Sequence, residues 1–207
     1  MARIAVAGGR LPADLVLPDG ATGVVAFAHG SESSRHDPAN RAMAEALNLR
    51  GLGTILVDLM IAEEKPAGLM TAEEEPAGVG ALADRLVAVV DWLGEHGPTS
   101  DLEVGLFGAG AGAAVVLLAA AARPDPVRAV VCHGGRPDLV GPALVEVAAP
   151  TLFLVGERDV DGIELDREAC ATMTVTAELR IVPGDVDRVA EQAGDWFAGH
   201  LEPRPAH

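Results

Sequence analysis

The chain has 207 residues, enough for one sizeable core and short for two independent domains. With 31 Asp and Glu against 15 Lys and Arg, its formal net charge of -16 repels polyanions, which argues against nucleic acid and anionic membrane surfaces as partners. Aromatic side chains make up 3% and tyrosine is absent, so base-stacking platforms have little to be built from and the core must be aliphatic.

In chain order, the first ten residues carry a charge at Arg3 and turn at Gly8-Gly9 before an apolar run can build up, which is not the pattern of a signal peptide. Residues 10–17, bracketed by that turn and by Pro18-Asp19-Gly20, pair with the first few residues as an antiparallel starting hairpin. A strand follows at 24–28. Asp37-Pro38 offers a capping side chain and a first-turn proline, so a helix starts there and runs to about Arg50, ended by Gly51 and Gly53.

The strand at 54–59 leads into a tandem duplication, in which LMIAEEKPAG at 59–68 is followed directly by LMTAEEEPAG at 69–78. Prolines and glycines at each unit's end oppose one continuous helix, so the segment is expected to be a long excursion with short helical turns. It is either a lid over a cleft or an insertion carried on a solvated acidic loop. Leu82, Leu86, Val89 and Leu93 then recur at helical spacing.

Strands are expected at 102–107, 127–132, 151–155 and 179–182. The apolar run at 113–122 is about half of the roughly 20 residues a membrane span needs, so no transmembrane segment is expected. Cys132 and Cys170 are too few for a disulfide framework and lie in apolar surroundings, which fits a reducing, cytoplasmic setting. Val186, Val189, Ala193, Trp196, Phe197 and Leu201 mark a last helix, and 202–207 is expected to fray. The alternation predicts an α/β fold, a three-layer α/β/α sandwich around a mostly parallel twisted sheet, as a single domain over 1–201.

The run Gly105-Leu106-Phe107-Gly108-Ala109-Gly110-Ala111-Gly112 reads as a strand passing through a sharp turn into a helix. Gly108, Gly110 and Gly112 keep the G-x-S-x-G spacing, in which a serine sits on a strained strand-to-helix turn, but Gly110 has no side chain. The lysine and the serine or threonine of a phosphate-binding loop are missing, and no His, Cys and carboxylate cluster has metal spacing. Neither a cofactor nor a metal is implied.

Several further motifs occur in order: Phe27-Ala28-His29-Gly30-Ser31-Glu32-Ser33-Ser34-Arg35-His36, Gly134-Gly135-Arg136-Pro137-Asp138-Leu139, Ala149-Pro150-Thr151-Leu152 and Val182-Pro183-Gly184. With the elbow, they make the chain resemble bacterial dienelactone-hydrolase-like members of the α/β-hydrolase superfamily over nearly its whole length. The resemblance implies a serine at the elbow, an aspartate after the next-but-one strand and a histidine after the last strand. Asp159 matches the acid. Gly110 stands at the serine position and Asp187 where the histidine is expected, so the resemblance implies a degenerate triad without Ser-His-Asp hydrolysis.

The same resemblance makes the turn holding Gly30, Ser31 and Glu32 one oxyanion donor and the Ala111 N–H the other, with Arg35 nearby. Arg35 and His36 either reach an anionic ligand or cover the start of the Asp37-capped helix. His133 follows Cys132 at the carboxyl end of a strand, where the family pattern shows arginine. It either forms a proton-transferring pair with Asp159 or is a satisfied residue holding the Gly134-Gly135 turn. Consecutive strand residues face opposite ways, so Cys132 reads as a buried structural thiol without His133 as its base.

Two readings follow. One is an enzyme that binds a small carbonyl compound and moves protons through His133 and Asp159 in an isomerase, cyclase or lyase step. The other is a catalytically silent member that binds a small molecule or a protein. A homodimer is compatible with either.

Overall fold

Short aliphatic strands alternating with longer amphipathic segments fold into three layers. The computed structural model describes residues 2–6, 9–29, 34–60 and 75–201. Eight strands are β1 Ala2–Val6, β2 Gly9–Val16, β3 Gly23–Ala28, β4 Gly53–Val57, β5 Glu103–Ala109, β6 Val127–His133, β7 Thr151–Gly156 and β8 Ala177–Val182. They form one sheet in the order β1-β2-β4-β3-β5-β6-β7-β8. β1 and β2 pair antiparallel, β2 joins β4 antiparallel, and the pairs from β4 to β8 are parallel. β3 and β4 are buried along their whole length, as unbroken apolar strands covered on both faces must be.

Among the described residues, five α-helices cover the faces: α1 Pro38–Asn48, α2 Glu75–Glu95, α3 Gly112–Ala122, α4 Val160–Thr172 and α5 Val186–His200. α1 and α5 pack on one side around Phe27, Leu47, Phe107 and Phe197. α2, α3 and α4 pack on the other, around Leu86, Leu93, Val116 and Phe153. α3 is apolar on nearly every side because β5 and β6, α2 and a 3-10 segment at Pro137–Glu146 surround it. It is a core helix, and among the described residues no helix is long and apolar enough to cross a membrane.

The sheet and the hairpin follow the sequence expectations to within a few residues. Asp37 caps α1 as expected, its carboxylate accepting the Ala39 N–H at 2.8 Å. The duplicated segment differs. Its last four residues, 75–78, are already α2, and Pro76 falls in the first helical turn, where no i→i−4 hydrogen bond is lost. The rest of the expected lid, 61–74, lies outside the described residues, as does the 202–207 tail. α4 and the 3-10 segment have no counterpart in the sequence reading. The burial pattern of α4 runs through Gly162, Asp166 and Ala169, a seam with few large apolar residues to announce it.

Candidate functional site

β5 delivers the chain to Gly110, whose φ of 56° turns it sharply before α3 begins at Gly112. A Cβ on Gly108 would lie 2.4 Å from the Gly112 carbonyl oxygen, and one on Gly112 would lie 2.1 Å from that of Ala28. Strand, helix and the end of β3 therefore meet backbone to backbone, which only glycine permits. Gly110 is different. A Cβ there would meet nothing within 4 Å, so the centre of the elbow faces open space with no side chain to fill it.

The end of β6 holds the elbow in place. The Gly110 N–H donates to the His133 carbonyl at 3.1 Å, and the Gly135 α-carbon is so close to the Gly110 carbonyl that a Cβ would stand 2.1 Å from its oxygen. Ala111, at φ −59° and ψ −25°, is the exposed N-cap of α3, and no side chain caps that end. The Ala113 N–H donates to the Gly110 carbonyl at 3.1 Å, whereas the Ala111 N–H makes no hydrogen bond to a described residue. An amide at a helix start, beside an empty elbow, is suited to an anion or a polarised carbonyl.

Gly30, Ser31 and Glu32 lie outside the described residues. The residues on either side of them converge on Asp58, just past β4. Asp58 accepts the Arg35 backbone N–H at 2.8 Å and pairs with the Arg35 guanidinium. His29 Nε2 lies 3.6 Å from Asp58 Oδ1, and Arg35 Nε lies 3.5 Å from Asp14 Oδ2. Arg35 thus spends its charge on two carboxylates and would have to leave them to meet an anionic ligand. His36 is exposed and its N–H donates to Ser34 Oγ at 3.2 Å.

His133 is the last residue of β6 and Asp159 lies three residues past β7, both at the carboxyl edge of the sheet, but no hydrogen bond or ion pair joins them. Asp159 is exposed and its Oδ1 accepts the Gly162 N–H at 2.9 Å, capping α4. Its carboxylate is satisfied locally, as expected of an aspartate just ahead of a helix. Burial pushes the His133 pKa down, so at neutral pH its half-buried ring is uncharged. Asp187 is exposed in the first turn of α5, where the helix dipole favours it, while Asp185 provides the cap by accepting the Arg188 N–H at 2.9 Å. Cys132 points to the α3 side, its Sγ 3.8 Å from the Ala113 carbonyl, and burial pushes its thiol up.

Two features escape the sequence reading. The first is the Asp58 and Asp14 anchorage of Arg35, which joins residues 23 positions apart and has no local signal. The second is Asp166, 1% exposed in the seam of α4, with neither carboxylate oxygen hydrogen-bonded. Burial first, and the charge of Asp159 second, push it up to about 7. In the sequence it sits among Glu164, Arg167 and Glu168 and reads as solvated. Among the described residues, no group of three or more His, Cys, Asp or Glu is placed to hold a metal.

Comparison with known proteins agrees with this layout. A sequence profile described as the dienelactone hydrolase family matches residues 60–186. The crystal structure of a dienelactone hydrolase from Anabaena variabilis ATCC 29413 is 40% identical, covers 97% of each chain and superposes with a TM-score of 0.89. Est1E from Butyrivibrio proteoclasticus is 16% identical over 96% of this chain and 97% of its own, with a TM-score of 0.76, a likeness of fold alone. Two curated Mycobacterium tuberculosis proteins, from strains CDC 1551 / Oshkosh and ATCC 25618 / H37Rv and provisionally named phosphoribosyl transferases, are 42% identical over 96% of this chain. The chain spans 46%, about half, of the length of those relatives.

Proposed function

The chain belongs to the dienelactone hydrolase family, and from that premise we propose that it does not hydrolyse through a serine but binds a small carbonyl or carboxylate compound in the cleft at its elbow. The observation that carries this reading is Gly110, held at φ 56° with nothing within 4 Å of its missing Cβ, beside the uncapped Ala111 N–H. The turn that presents a nucleophile is intact and presents none. Its backbone donor survives because it does not depend on a side chain.

His133, neutral and half-buried at the same edge, then serves as a hydrogen-bonding group for the ligand. The competing reading, proton transfer by a His133 and Asp159 pair, needs the two to meet. Asp159 capping α4 favours the silent binding module. Phosphoribosyl transfer, the activity in the curated relatives' name, we assign to the part of those proteins that this chain does not match. The elbow lacks phosphate-loop residues, and a charge of -16 disfavours a phosphorylated ligand.

The test has two arms. A fluorophosphonate probe should leave the wild-type chain unlabelled, and the double variant Gly110→Ser, Asp187→His should gain labelling at position 110. Stoichiometric labelling of a wild-type serine would refute the loss of hydrolysis. In the second arm, small carboxylates and ketones are screened by thermal shift, and Ala111→Pro, whose ring suits φ −59°, removes the donor N–H. A ligand that binds the wild type and this variant equally would place binding elsewhere.

A further inference from the structure

β8 is the last strand of the sheet, and among the described residues one of its long sides has no partner strand. The Thr151 N–H donates to the Thr176 carbonyl at 2.9 Å and Thr151 is in register with Ala177. In a parallel ladder this pattern turns the amides and carbonyls of even-numbered residues toward β7. Those of Ala177, Leu179 and Ile181 therefore point away from the sheet. Such an edge is a template for another strand, and proteins protect it with charge or a cover.

The side chains of this edge complement their own reverse. Glu178 and Arg180 share one face, bonded to each other at 2.7 Å. Ala177, Leu179 and Ile181 share the other, and Ile181 is 52% exposed. When two copies of β8 run antiparallel about Leu179, residues pair so that their numbers sum to twice 179. Glu178 then opposes Arg180 of the second copy, and Arg180 opposes its Glu178. Ile181 opposes the second copy's Ala177, which covers its exposed surface. The outward backbone groups at 177, 179 and 181 become the hydrogen-bonded pairs.

We propose that the β8 edge joins two copies of this chain antiparallel about Leu179, making one continuous sheet through a two-fold axis. A two-fold contact must be self-complementary. β8 satisfies that in charge, in apolar cover and in the direction of its outward backbone groups at once. The contact is independent of the elbow and leaves the carboxyl edge of each sheet open. With -16 on each copy, long-range repulsion opposes the pairing, and salt that shortens its reach favours it.

Sedimentation of the full chain at about 0.15 M salt tests the contact, where the screening length is about 8 Å. The wild type should show a reversible monomer–dimer equilibrium, and Glu178→Arg, which sets arginine against arginine, should weaken it by about tenfold or more. Arg180→Glu should do the same, and an equimolar mixture of the two variants should recover a heterodimer, because every pair is opposite in charge again. Arg180 also bonds Gln192 Oε1 at 2.8 Å and lies over the Trp196 ring, so its variant can lose stability for another reason. Ile181→Pro covers that case. It removes an outward N–H, which an edge strand tolerates without losing a bond to its neighbour, and should abolish the dimer while leaving the circular dichroism unchanged. A wild type that stays monomeric to about 500 μM, where contacts weaker than millimolar are already marginal, overturns the proposal. So does a dimer indifferent to Glu178→Arg and Ile181→Pro.

Discussion

Replacing Asp166 by asparagine should make stability less sensitive to pH, and by a calculable amount. The carboxyl lies in the buried seam of α4 with both oxygens unpartnered, and burial together with the Asp159 charge pushes it from the ordinary 3.8 to about 7. Protonation is therefore favoured in the folded state. As pH rises above 3.8 the unfolded chain gives up this proton while the folded chain keeps it, so stability falls until pH passes about 7 and is level beyond. With these two values, linkage gives a loss of about 2.5 kcal/mol between about pH 5 and about pH 8. Asparagine has nearly the same shape and does not ionise. Titrating groups remote from Asp166 act alike on both proteins, and the nearby Cys132 and Cys170 thiols, pushed up by burial, stay protonated across the window, so the comparison isolates this one. Urea unfolding of wild type and Asp166→Asn across the window should show the variant's advantage growing by about that amount with rising pH. A constant difference, or one that shrinks, would mean that Asp166 ionises normally and that the seam admits water.

Three further outcomes follow from the same contacts. Gly112→Ala puts a methyl 2.1 Å from the Ala28 carbonyl oxygen, so chemical denaturation should show a loss of about 3 kcal/mol or more, against a gain of up to about 1 kcal/mol for alanine at the uncrowded Gly94 on helix α2. Asp159→Ala removes the cap of α4 and should cost about 1 kcal/mol, while the pH dependence assigned to Asp166 moves to lower pH because a neighbouring negative charge is gone. The His133 ring should titrate below the usual 6.5 when followed by NMR, and its burial removes stability as pH falls, since only the unfolded chain then takes up the proton freely. An ordinary midpoint would put the ring in solvent.

The family relation was legible because it rests on backbone geometry that sequence encodes directly. Gly108 and Gly112 are glycines because two segments of the backbone approach too closely for a Cβ, and that need survives whatever stands at position 110. Caps were legible for a similar reason. Asp37 ahead of Pro38 acts on amides one or two residues away, so its partner is fixed by chain proximity alone. The end of the duplicated 59–78 segment departs from expectation for an equally local reason: proline breaks a helix interior, and Pro76 falls in the first turn, the one place where a helix tolerates it.

The sequence by itself determined the mostly parallel sheet, the helices α1, α2, α3 and α5 and the elbow without a side chain, all consequences of periodicity, capping and glycine's missing side chain. Tertiary structure alone decided which groups meet. It brought Arg35 to Asp58 and Asp14, gave Asp159 to the start of α4 rather than to His133, and buried Asp166 without a partner. Those outcomes depend on the positions of elements far apart in the chain. A carboxylate's role is set by the nearest donor in space, and sequence spacing measures that distance only within a helix turn or along a single strand.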